Sequence, residues 1–594
     1  MILLAVAKYY LKTLKTIYLT GTSMDKFKKL ASKIVTDKRF IIILIILVVL
    51  VVAGILIYNK RYSPSNETMT LNEYYEVKGD EMAVIIDGDL LSNIDGAPDG
   101  IVRNNTPYVK CKTINDAIKD VYAYDNSEHK VSFTTTEGTY RGTAGATGYT
   151  FKGQNVATDY VPLIEANGTG YIALGFVKDT TGTEYTFNQD PARAAIYTPG
   201  AERTKAEIDE DIEMRRFGGN RSKILATAKK GDKITVVENY GSWSQVLTED
   251  GILGCVPNSA IDDKDTVKNK TGAAQDSLKH NLMSEPIRLG WHQAFSSAAN
   301  GEVESVLSTA GGMNVISPTW LQIKDNKGSL NNLSNDNYVN LCHGKGIKVW
   351  VLVSNIERDV DENQLFNVTS TRDALVNNIV SAVTAVGADG VNVDIESVGD
   401  NNVDGYTEFI KTLALKCKEN NLVLSVDNYN ISSADYNVDV QARFTDYVVL
   451  FGYDETWTGA GKAGSNNSIN WVKKGVEGML AEGVDKSQLI LAIPFYTRLW
   501  IQSGDTVTSE TVTLKDTPAL LEQNNATANW LKENKENYAE WSNGDKKYSI
   551  WIVDNKSLQE RVNYVMEKKL AGIAAWKLGN ETADTWKMIS DTVR

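Results

Sequence analysis

Asn392, Asp394 and Glu396 stand at every second position of the segment ADGVNVDIES, which covers residues 388–397, and Val or Ile fills the positions between them. Because successive side chains of a β-strand point to opposite faces, a strand here would turn all three polar side chains to one face. Two carboxylates on one poorly solvated face repel each other, which pushes one of them toward its protonated form. The segment therefore predicts general acid–base chemistry.

The elements that must position this trio are apolar runs separated by helix-length stretches, from Glu285 onward. The eight runs are IRLGWHQ (287–293), GMNVISPTW (312–320), IKVWVLVSN (347–355), ADGVNVDIES (388–397), LVLSVDN (422–428), DYVVLFGYDETW (446–457), LILAIPFYTRLW (489–500) and GIAAWKLG (572–579). Continuous Val, Ile and Leu are typical of parallel strands buried on both faces. Eight of them predict an α/β fold, a (β/α)₈ TIM barrel over 285–594. The gap at 501–550 is too long for one helix and predicts a small inserted α+β subdomain.

Active sites of (β/α)₈ barrels lie at the C-terminal ends of the strands, where the fourth run carries Asp394 and Glu396. A protonated carboxylic acid beside an ionised or proton-sharing partner suits cleavage of a glycosidic bond, because the leaving oxygen must be protonated. Asp389 is an odd number of positions from Asp394, so its side chain would lie on the opposite face of the strand. This favours a role in a turn or at the start of the strand over catalysis.

The segment DGVNVDIE (389–396) resembles the D-G-x-D-x-D-x-E signature of glycoside hydrolase family 18, the chitinase-like family. Three other strands extend the resemblance over 285–594: FGYDETW (451–457), AIPFYTRLW (492–500) and AAWKLGNE (574–581), which resemble the family's aromatic-x-Tyr-Asp strand, its Pro-Phe-Tyr strand and the strand with the tryptophan beneath the sugar. A branch of N-acetylglucosaminidases that act on bacterial peptidoglycan, including spore-cortex enzymes, is similar through SPTW (317–320), YDETWTGAGKAGS (453–465) and WKLGNE (576–581).

The resemblance implies a role for each matching catalytic residue. Glu396 would be the general acid and later the base, and Asp394 would hold the acetamido N–H of the sugar and share a proton with Glu396. The acetamido oxygen itself would attack the anomeric carbon, because this family is a substrate-assisted exception to the two-carboxylate scheme. Tyr453 would donate its hydroxyl to the acetamido carbonyl, and Trp576 would stack beneath the ring.

Asn392 departs from the family pattern, since many chitinases have an aspartate there. An amide can hydrogen bond Asp394 but cannot take a proton from it, so the acid side of the pH profile should differ. We expect Asn392 to take part in substrate binding, together with Asp454, Tyr496, Trp457 and Trp320. Whether His292, Trp350 and Trp500 belong to the cleft or to the core stays open at this point.

The N-terminal part carries the sequence's one membrane signal. From Phe40 to Ile57 the sequence is uncharged and apolar, and a membrane span needs about 17–25 such residues. Lysines and arginines precede the run, so the positive-inside bias predicts a cytoplasmic basic tail (1–39), a transmembrane helix (40–58) and a catalytic domain on the extracellular, cell-wall side of the cell membrane. A cleaved signal peptide is the alternative.

Two further modules are predicted before the barrel. Residues 76–200 contain short alternating segments that favour β-strands, with a faint resemblance to the stalk-like N-terminal domain of copper amine oxidases. Residues 213–262 resemble a bacterial SH3-type domain, an all-β barrel, although Cys255 stands where that family often has an aromatic residue. Wall binding and a plain spacer are both compatible with these modules, and 263–284 is predicted to be a linker.

Composition excludes several functions. A net charge of −13 argues against a nucleic-acid partner, because phosphate binding needs a basic surface. Four histidines and four widely spaced cysteines, without ligand or CxxC spacing, predict no metal, no cofactor and no disulfide framework. No obligate protein partner is inferred.

The sequence as a whole predicts a membrane-anchored glycoside hydrolase that cleaves β-1,4 bonds of N-acetylglucosamine-containing polysaccharide, with peptidoglycan as the expected partner. Chitin or poly-N-acetylglucosamine is an alternative substrate. A catalytically silent carbohydrate-binding barrel is an alternative function, although Glu396, which such lectin-like barrels usually lack, is present. Nothing in the pattern separates endo from exo action or identifies the biological process.

Overall fold

The computed structural model describes residues 38–91, 96–271, 276–357, 359–430 and 436–594, with isolated positions between 12 and 32, and without the side chains at 39, 40, 43 and 60–62. The chain divides into two compact units. One consists of residues 1–76 and 203–267, and the other of residues 77–202 and 268–594. Most of the predicted cytoplasmic tail, 1–39, lies outside the described residues.

The first unit begins with helix α1 (Lys38–Tyr62), which covers the predicted span 40–58, and the short helix α2 (Leu71–Tyr75). The apolar side chains of α1 that are described, such as Leu50 and Val51, are exposed along most of the helix. Within the described residues, no helix meets the length and apolar character that crossing a membrane requires.

The second unit begins with a β-rich module. Its strands are β1 (Glu81–Ile86), β2 (Asp89–Leu90), β3 (Gly100–Arg103), β4 (Thr106–Lys110), β5 (Ala123–Asp125), β6 (Lys130–Thr135), β7 (Gly138–Thr143), β8 (Tyr149–Phe151), β9 (Gln154–Val156), β10 (Leu163–Ala166), β11 (Thr169–Ala173), β12 (Glu184–Gln189) and β13 (Ala192–Tyr197). They form two sheets, β10-β11-β4-β3-β1-β13-β12 with β2 beside β1, and β5-β6-β7-β8-β9. The hairpins β3-β4 and β10-β11 are each followed by a helix, α3 (Cys111–Ile118) and α4 (Leu174–Thr181).

The first unit continues as a seven-stranded sheet. Its strands are β14 (Glu202–Ile208), β15 (Ile212–Arg215), β16 (Ile224–Ala228), β17 (Lys233–Asn239), β18 (Trp243–Thr248), β19 (Leu253–Pro257) and β20 (Ile261–Lys268), with a 3₁₀ turn at Asn258–Ala260. The order is β16-β15-β19-β18-β17-β14-β20. This sheet starts before and ends after the predicted range 213–262, and its assignment to the SH3 type stays a prediction. Part of the predicted linker 263–284 therefore belongs to strand β20.

The eight apolar runs form the eight strands of a closed parallel barrel, which confirms the predicted fold of the C-terminal region. They are β21 (Ile287–His292), β22 (Val315–Pro318), β25 (Lys348–Ser354), β26 (Gly390–Asp394), β27 (Val423–Asn428), β28 (Tyr447–Phe451), β29 (Leu489–Pro494) and β35 (Gly572–Trp576). Strand β35 pairs in parallel with both β21 and β29, and β22 pairs with β25, so the barrel closes. The strands β23 (Leu321–Ile323) and β24 (Leu330–Asn332) form a hairpin beside β25.

Helices between these strands pack around the barrel. They are α5 (Ser297–Asn300), α6 (Val303–Thr309), α7 (Asp336–Gly344), α8 (Thr369–Ala385), α9 (Val403–Glu419), α10 (Val438–Phe444), α11 (Ile469–Ala481), α13 (Asn555–Lys568) and α14 (Thr585–Thr592), with short turns at Asn363–Asn367 and Asp400–Asn402. Buried Val, Ile and Leu side chains fill the layer between strands and helices. A second cluster, which includes Trp291, Trp350 and Phe451, fills the barrel itself. Burial on both faces is the reason that the strands lack polar alternation.

A small subdomain stands between β29 and β35. It consists of β30 (Tyr496–Ser503), β31 (Thr506–Thr513), β32 (Asn529–Leu531), β33 (Glu536–Asn543), β34 (Lys546–Ile552) and helix α12 (Thr517–Gln523). The five strands form one antiparallel sheet. The subdomain starts at Tyr496 and not at 501, because the apolar run 489–500 contains two strands: β29 in the barrel and β30 in the antiparallel sheet.

The β-rich module packs directly on the barrel helices. Glu408 of α9 accepts hydrogen bonds from the backbone N–H (3.2 Å) and the hydroxyl (2.6 Å) of Thr134. Lys411, one turn further along α9, donates to Asp120 at 2.8 Å, and both side chains are buried. Polar groups buried in this way hold the module in a fixed place on the barrel.

Candidate active site

Strand β26 alternates as its sequence predicts. Val391 and Val393 are fully buried in the layer between the barrel and its helices, and Ile395 continues that face. Asn392 and Asp394 therefore point into the barrel, with Asp394 nearer its C-terminal mouth. Glu396 follows on the same parity, two residues beyond the end of the strand.

The backbone of Glu396 is fixed by Asn355, which lies one residue beyond the end of β25. The N–H of Glu396 donates to Asn355 Oδ1 at 2.9 Å, and Asn355 Nδ2 donates to the carbonyl of Glu396 at 2.9 Å. These two bonds use none of the carboxylate oxygens of Glu396. The amide of Asn355 therefore positions Glu396 while leaving its side chain available for chemistry.

The pKa of each of the two carboxyl groups is raised. Burial, and then the carboxylates of Glu396 and Glu357, raise the pKa of Asp394 to about 8. Burial is also the largest cause of the raised pKa of Glu396, which a hydrogen bond from Tyr429 opposes and the charge of Asp454 reinforces. The placement of both carboxyl groups on one poorly solvated strand face predicts a raised pKa, because poor solvation disfavours the charged forms. A group that keeps its proton near neutral pH can act as a general acid.

Asn392 lies deeper and does not meet the predictions made for it. Its Oδ1 accepts from Trp291 Nε1 at 2.8 Å and from the Ser317 hydroxyl at 3.0 Å. Its Nδ2 donates to the Ser425 hydroxyl at 3.0 Å and to Asp427 Oδ1 at 2.7 Å. The side chain is fully buried, so the prediction of substrate contact is wrong. None of the four bonds goes to Asp394, because the floor of the barrel already uses the whole amide.

Two further site residues, which the sequence did not predict, lie on β27 and just after it. Asp427 is buried beside Asn392, and burial raises its pKa well above the ordinary range, with the charge of Asp394 as the next cause. Tyr429, just after the strand, donates its hydroxyl to Glu396. Ser425, Asp427 and Tyr429 alternate as the trio on β26 does, and that alternation in LVLSVDNY was the signal available.

The residues after β28 form one wall with the start of the subdomain. Tyr453 is buried and packs against Phe451, with ring centroids 5.1 Å apart, and edge-on against Tyr496 at 6.1 Å. The hydroxyl of Tyr496 donates to Asp454 Oδ1 at 2.8 Å, and Arg498 Nη2 donates to the same oxygen at 2.7 Å. Burial raises the pKa of Tyr453 well above its ordinary range, so its hydroxyl stays a hydrogen-bond donor.

Of the three tryptophans predicted to bind substrate, two are at least partly exposed to solvent and one is buried. Trp576 ends β35, remains partly exposed and packs edge-on against Trp291, with centroids 6.1 Å apart. Trp457 is 57% exposed. Trp320 is fully buried among core residues, and its Nε1 donates to Asn300 at 2.6 Å, so the prediction that it binds substrate is wrong. Strand β22 ends at Pro318, and two residues later the indole has turned away from the mouth into the helix layer.

The residues left open by the sequence analysis belong to the core. Trp350 is buried inside the barrel, stacked on Tyr447 at 5.3 Å, and Trp500 is buried with its Nε1 donating to the carbonyl of Gly464. His292 is buried, and its Nδ1 lies 2.9 Å from the hydroxyl of Tyr338. Burial, followed by the positive charge of Lys577, lowers the pKa of His292 to about 4. These are the interactions of structural side chains.

Asp389, which precedes β26, also has structural partners. Its carboxylate accepts from the backbone N–H of Val349 at 2.9 Å, from Lys348 Nζ at 2.8 Å and from His343 Nε2 at 2.7 Å. These bonds tie the start of β26 to β25. The four cysteines are free and buried. In the part of the chain that the structure describes, no cluster of His, Cys, Asp and Glu has the geometry of a metal site.

The closed parallel barrel, with carboxyl groups and aromatic side chains at its mouth, and the family match over residues 314–581 together show that the protein is a glycosidase. Residues 314–581 match the family model described as Glycosyl hydrolases family 18, so the chain contains a family 18 domain. This confirms the resemblance found in DGVNVDIE.

The chain is similar to an uncharacterized glycosylase, YvbX, of Bacillus subtilis, with 26% identity over 265 residues that cover 41% of this chain and 75% of that protein. A cortical fragment-lytic enzyme of the same organism is 20% identical over 271 residues, 43% of this chain and 62% of that protein. Among solved structures, the spore cortex-lytic enzyme SleL of Bacillus cereus has 15% identity and a TM-score of 0.48, covering 56% of this chain and 77% of that one. The chain thus spans less than two thirds of the cortical fragment-lytic enzyme.

Proposed function

We propose that the protein hydrolyses β-1,4 bonds next to N-acetylglucosamine in peptidoglycan, by substrate-assisted retaining catalysis. The observation that carries this proposal is the placement of Asp394 and Glu396. Both side chains lie at the C-terminal mouth of the barrel, and burial holds the pKa of each above its ordinary value. In a site of this kind an acid can protonate a leaving oxygen near neutral pH.

In the proposed mechanism Glu396 protonates the glycosidic oxygen while the acetamido oxygen of the sugar attacks the anomeric carbon. The leaving sugar departs with the proton, and an oxazolinium ion forms on the remaining sugar. Glu396, now ionised, then removes a proton from the water that opens this ion, which gives net retention. Family 18 is an exception to the two-carboxylate scheme in the same sense, since the substrate supplies its own nucleophile.

The other residues would hold the acetamido group and the ring. Asp394 would accept the acetamido N–H, and Tyr453 would donate to its carbonyl oxygen. Trp576 would lie under the apolar face of the sugar, as a partly exposed indole at the end of β35 allows. Asp454, Tyr496 and Trp457 would form the wall of the cleft, where the Tyr496 and Arg498 hydrogen bonds keep Asp454 in place.

The choice of peptidoglycan over chitin is supported by the predicted envelope location and by the similarity to a cortical fragment-lytic enzyme. Helix α1 supports membrane anchoring, because its apolar side chains are exposed in a chain that is otherwise well packed. An anchored enzyme would act on the cell's own wall, with residues 203–267 as a wall-binding module. Extraction of the membrane fraction at alkaline pH, with and without residues 1–62, tests the anchor.

The decisive test is Glu396→Gln in the full chain, assayed for release of reducing ends from purified peptidoglycan. We expect activity to fall at least about 100-fold, because general acid catalysis contributes roughly 10²–10⁴-fold, while sedimentation with peptidoglycan is retained. Glu419→Gln, the same substitution on the exposed end of α9, is the matched control and should cleave like the parent. Equal cleavage by Glu396→Gln and the parent would refute the assigned role.

The products identify the substrate class. Mass analysis of the digest distinguishes N-acetylglucosamine from N-acetylmuramic acid at the new reducing end, and only the first outcome agrees with the proposal. A parallel assay with chitin oligosaccharides measures the alternative substrate. Binding without cleavage of either polymer by the parent would favour a silent carbohydrate-binding barrel.

A further inference from the structure

Asp427 stands beside Asp394 on the neighbouring strand. The parallel register of β26 and β27 pairs Asn392 with Ser425 and Val393 with Val426, so the next residues along the two strands are Asp394 and Asp427. Neighbouring strands are about 4.8 Å apart. The carboxyl groups of Asp394 and Asp427 both point to the barrel interior. Each lies on the same face of its strand as the buried polar residue two positions before it, which is Asn392 on β26 and Ser425 on β27.

The hydrogen bonds of Asn392 fix which oxygen of Asp427 is used. Trp291 Nε1 can only donate, so the Asn392 oxygen must face it at 2.8 Å and the Asn392 amide nitrogen must face β27. That nitrogen donates to Asp427 Oδ1 at 2.7 Å. Asp427 Oδ2 is buried and has no hydrogen-bond partner among the described residues.

A buried oxygen without a partner is costly when it carries charge, and far less so when it carries a proton. The titratable groups that face Asp427 in the described part of the chain are acidic or phenolic: Asp394, Glu396, Tyr406 and Tyr453. No cation is among them. Two carboxyl groups side by side in such surroundings cannot both ionise at moderate pH.

We propose that Asp427 is a positioning residue that shares one proton with Asp394 across the two strands. This inference rests on the proposed function. The shared proton rests on Asp427 Oδ2, so that Asp394 accepts the substrate's acetamido N–H as a carboxylate. The pair keeps a total charge of −1 throughout, and no other reactant is needed.

The arrangement also gives Asn392 its function. The amide cannot take a proton, but it holds Asp427 Oδ1 and leaves Oδ2 as the basic atom of that side chain. The proton store therefore lies on β27 and not on β26. A neutral Asn392 avoids a third buried carboxylate in the same layer, which would raise the cost of burial further.

Two variants of the Asn392–Asp427 pair test this proposal. Asp427→Asn removes the proton store, and we expect kcat to fall by roughly 10-fold or more, because Asp394 then meets the acetamido N–H in its protonated form more often. Loss of the proton-sharing partner should also raise the pKa of Asp394, so the acidic limb of the profile of kcat/KM against pH should move to higher pH. The assay uses peptidoglycan or a soluble chitin oligosaccharide, whichever the parent enzyme cleaves.

The double variant Asn392→Asp/Asp427→Asn puts the carboxyl group back on the other strand. Trp291 and Ser317 already donate toward position 392, and the amide introduced on β27 can supply the remaining hydrogen bond, so the exchange keeps every pairing. We expect the double variant to recover most of the lost kcat and the parent's acidic limb. Ser425→Ala, which removes one hydroxyl partner of Asn392 without changing charge, should keep the parent's pH profile.

The outcomes separate this inference from the proposed function. If Asp427→Asn folds, by its melting temperature, and keeps the parent's kcat and pH profile while Glu396→Gln is inactive, the proton store is refuted and the proposed function stands. If Asp427→Asn fails to fold, the double variant decides, because it retains the amide–carboxylate pair. A folded double variant with a parent-like profile supports the inference, and one that has lost activity overturns it.

Discussion

Lys411 of α9 and Asp120 of the β-rich module form an ion pair of 2.8 Å in which both side chains are almost completely buried. Arg443 of α10 approaches the second oxygen of Asp120 at 3.2 Å, and the Lys411 ammonium lies 4.5 Å from the centre of the Phe133 ring. Charged residues that are far apart in the sequence therefore form ion pairs at the interface between the module and the barrel helices. Residues 77–202 are consequently a structural part of the catalytic unit.

Asp120→Ala should destabilise the catalytic unit by roughly 3–5 kcal/mol, because removing one partner leaves a buried charge uncompensated. Glu419→Ala is the control, since the Lys416–Glu419 pair is exposed and should contribute no more than about 1 kcal/mol. Urea titration of the free energy of unfolding measures both. Equal stability of Asp120→Ala and the control would mean that the module is dispensable for the barrel.

Tyr429→Phe should move the alkaline limb of the pH profile. The hydrogen bond from Tyr429 lowers the pKa of Glu396, so its removal raises that pKa further above the ordinary value. The general acid must be protonated, and activity should therefore persist to higher pH in the variant. The measurement is kcat/KM against pH.

Tyr447→Phe is the matched control for Tyr429→Phe. Its hydroxyl accepts from the backbone N–H of Met283 at 2.6 Å, at the N-terminal end of β28, away from the mouth. Its loss should reduce stability and leave the alkaline limb in place. An unchanged limb in Tyr429→Phe as well would show that this hydroxyl does not act on Glu396.

The sequence predicts the barrel well because parallel strands buried on both faces leave continuous apolar runs. It also predicts Asp394 and Glu396, because alternation within one strand is a local property. Asp427 and Tyr429 were missed, since their meaning depends on the register between two strands. That register becomes visible only when β26 and β27 pair.

Other failures have the same kind of cause. Trp320 ends an apolar run, and nothing local shows that β22 ends two residues earlier and that the indole packs in the layer between the barrel and its helices. The packing of the β-rich module on the barrel could not be predicted, because buried partners such as Glu408 and Thr134 are far apart in the sequence. Long-range contacts decide both cases.

Trp576→Ala should mainly affect kinetics, whereas Trp320→Ala should mainly reduce stability. Trp576 is partly exposed at the mouth, so its replacement should raise KM or lower kcat with only a small change in melting temperature. Trp320 is fully buried, and its replacement should cost about 3–5 kcal/mol of stability through the cavity it leaves. Kinetics and thermal unfolding of the two variants check this, and a large stability loss for Trp576→Ala would place its ring in the core.

The backbone and the side chain of Asp454 can be tested separately. Its φ of 53° is in the left-handed region, which asparagine tolerates better than alanine. Asp454→Asn should keep the fold, weaken the charged bond with Arg498 and raise KM several-fold by loosening the Tyr496 wall.

Asp454→Ala should lose the same wall and, in addition, about 1 kcal/mol or more of stability from the left-handed backbone. The comparison of KM and unfolding free energy between the two variants isolates the backbone contribution. If both variants bind substrate and unfold like the parent, neither the left-handed backbone of Asp454 nor its hydrogen bonds shape the cleft.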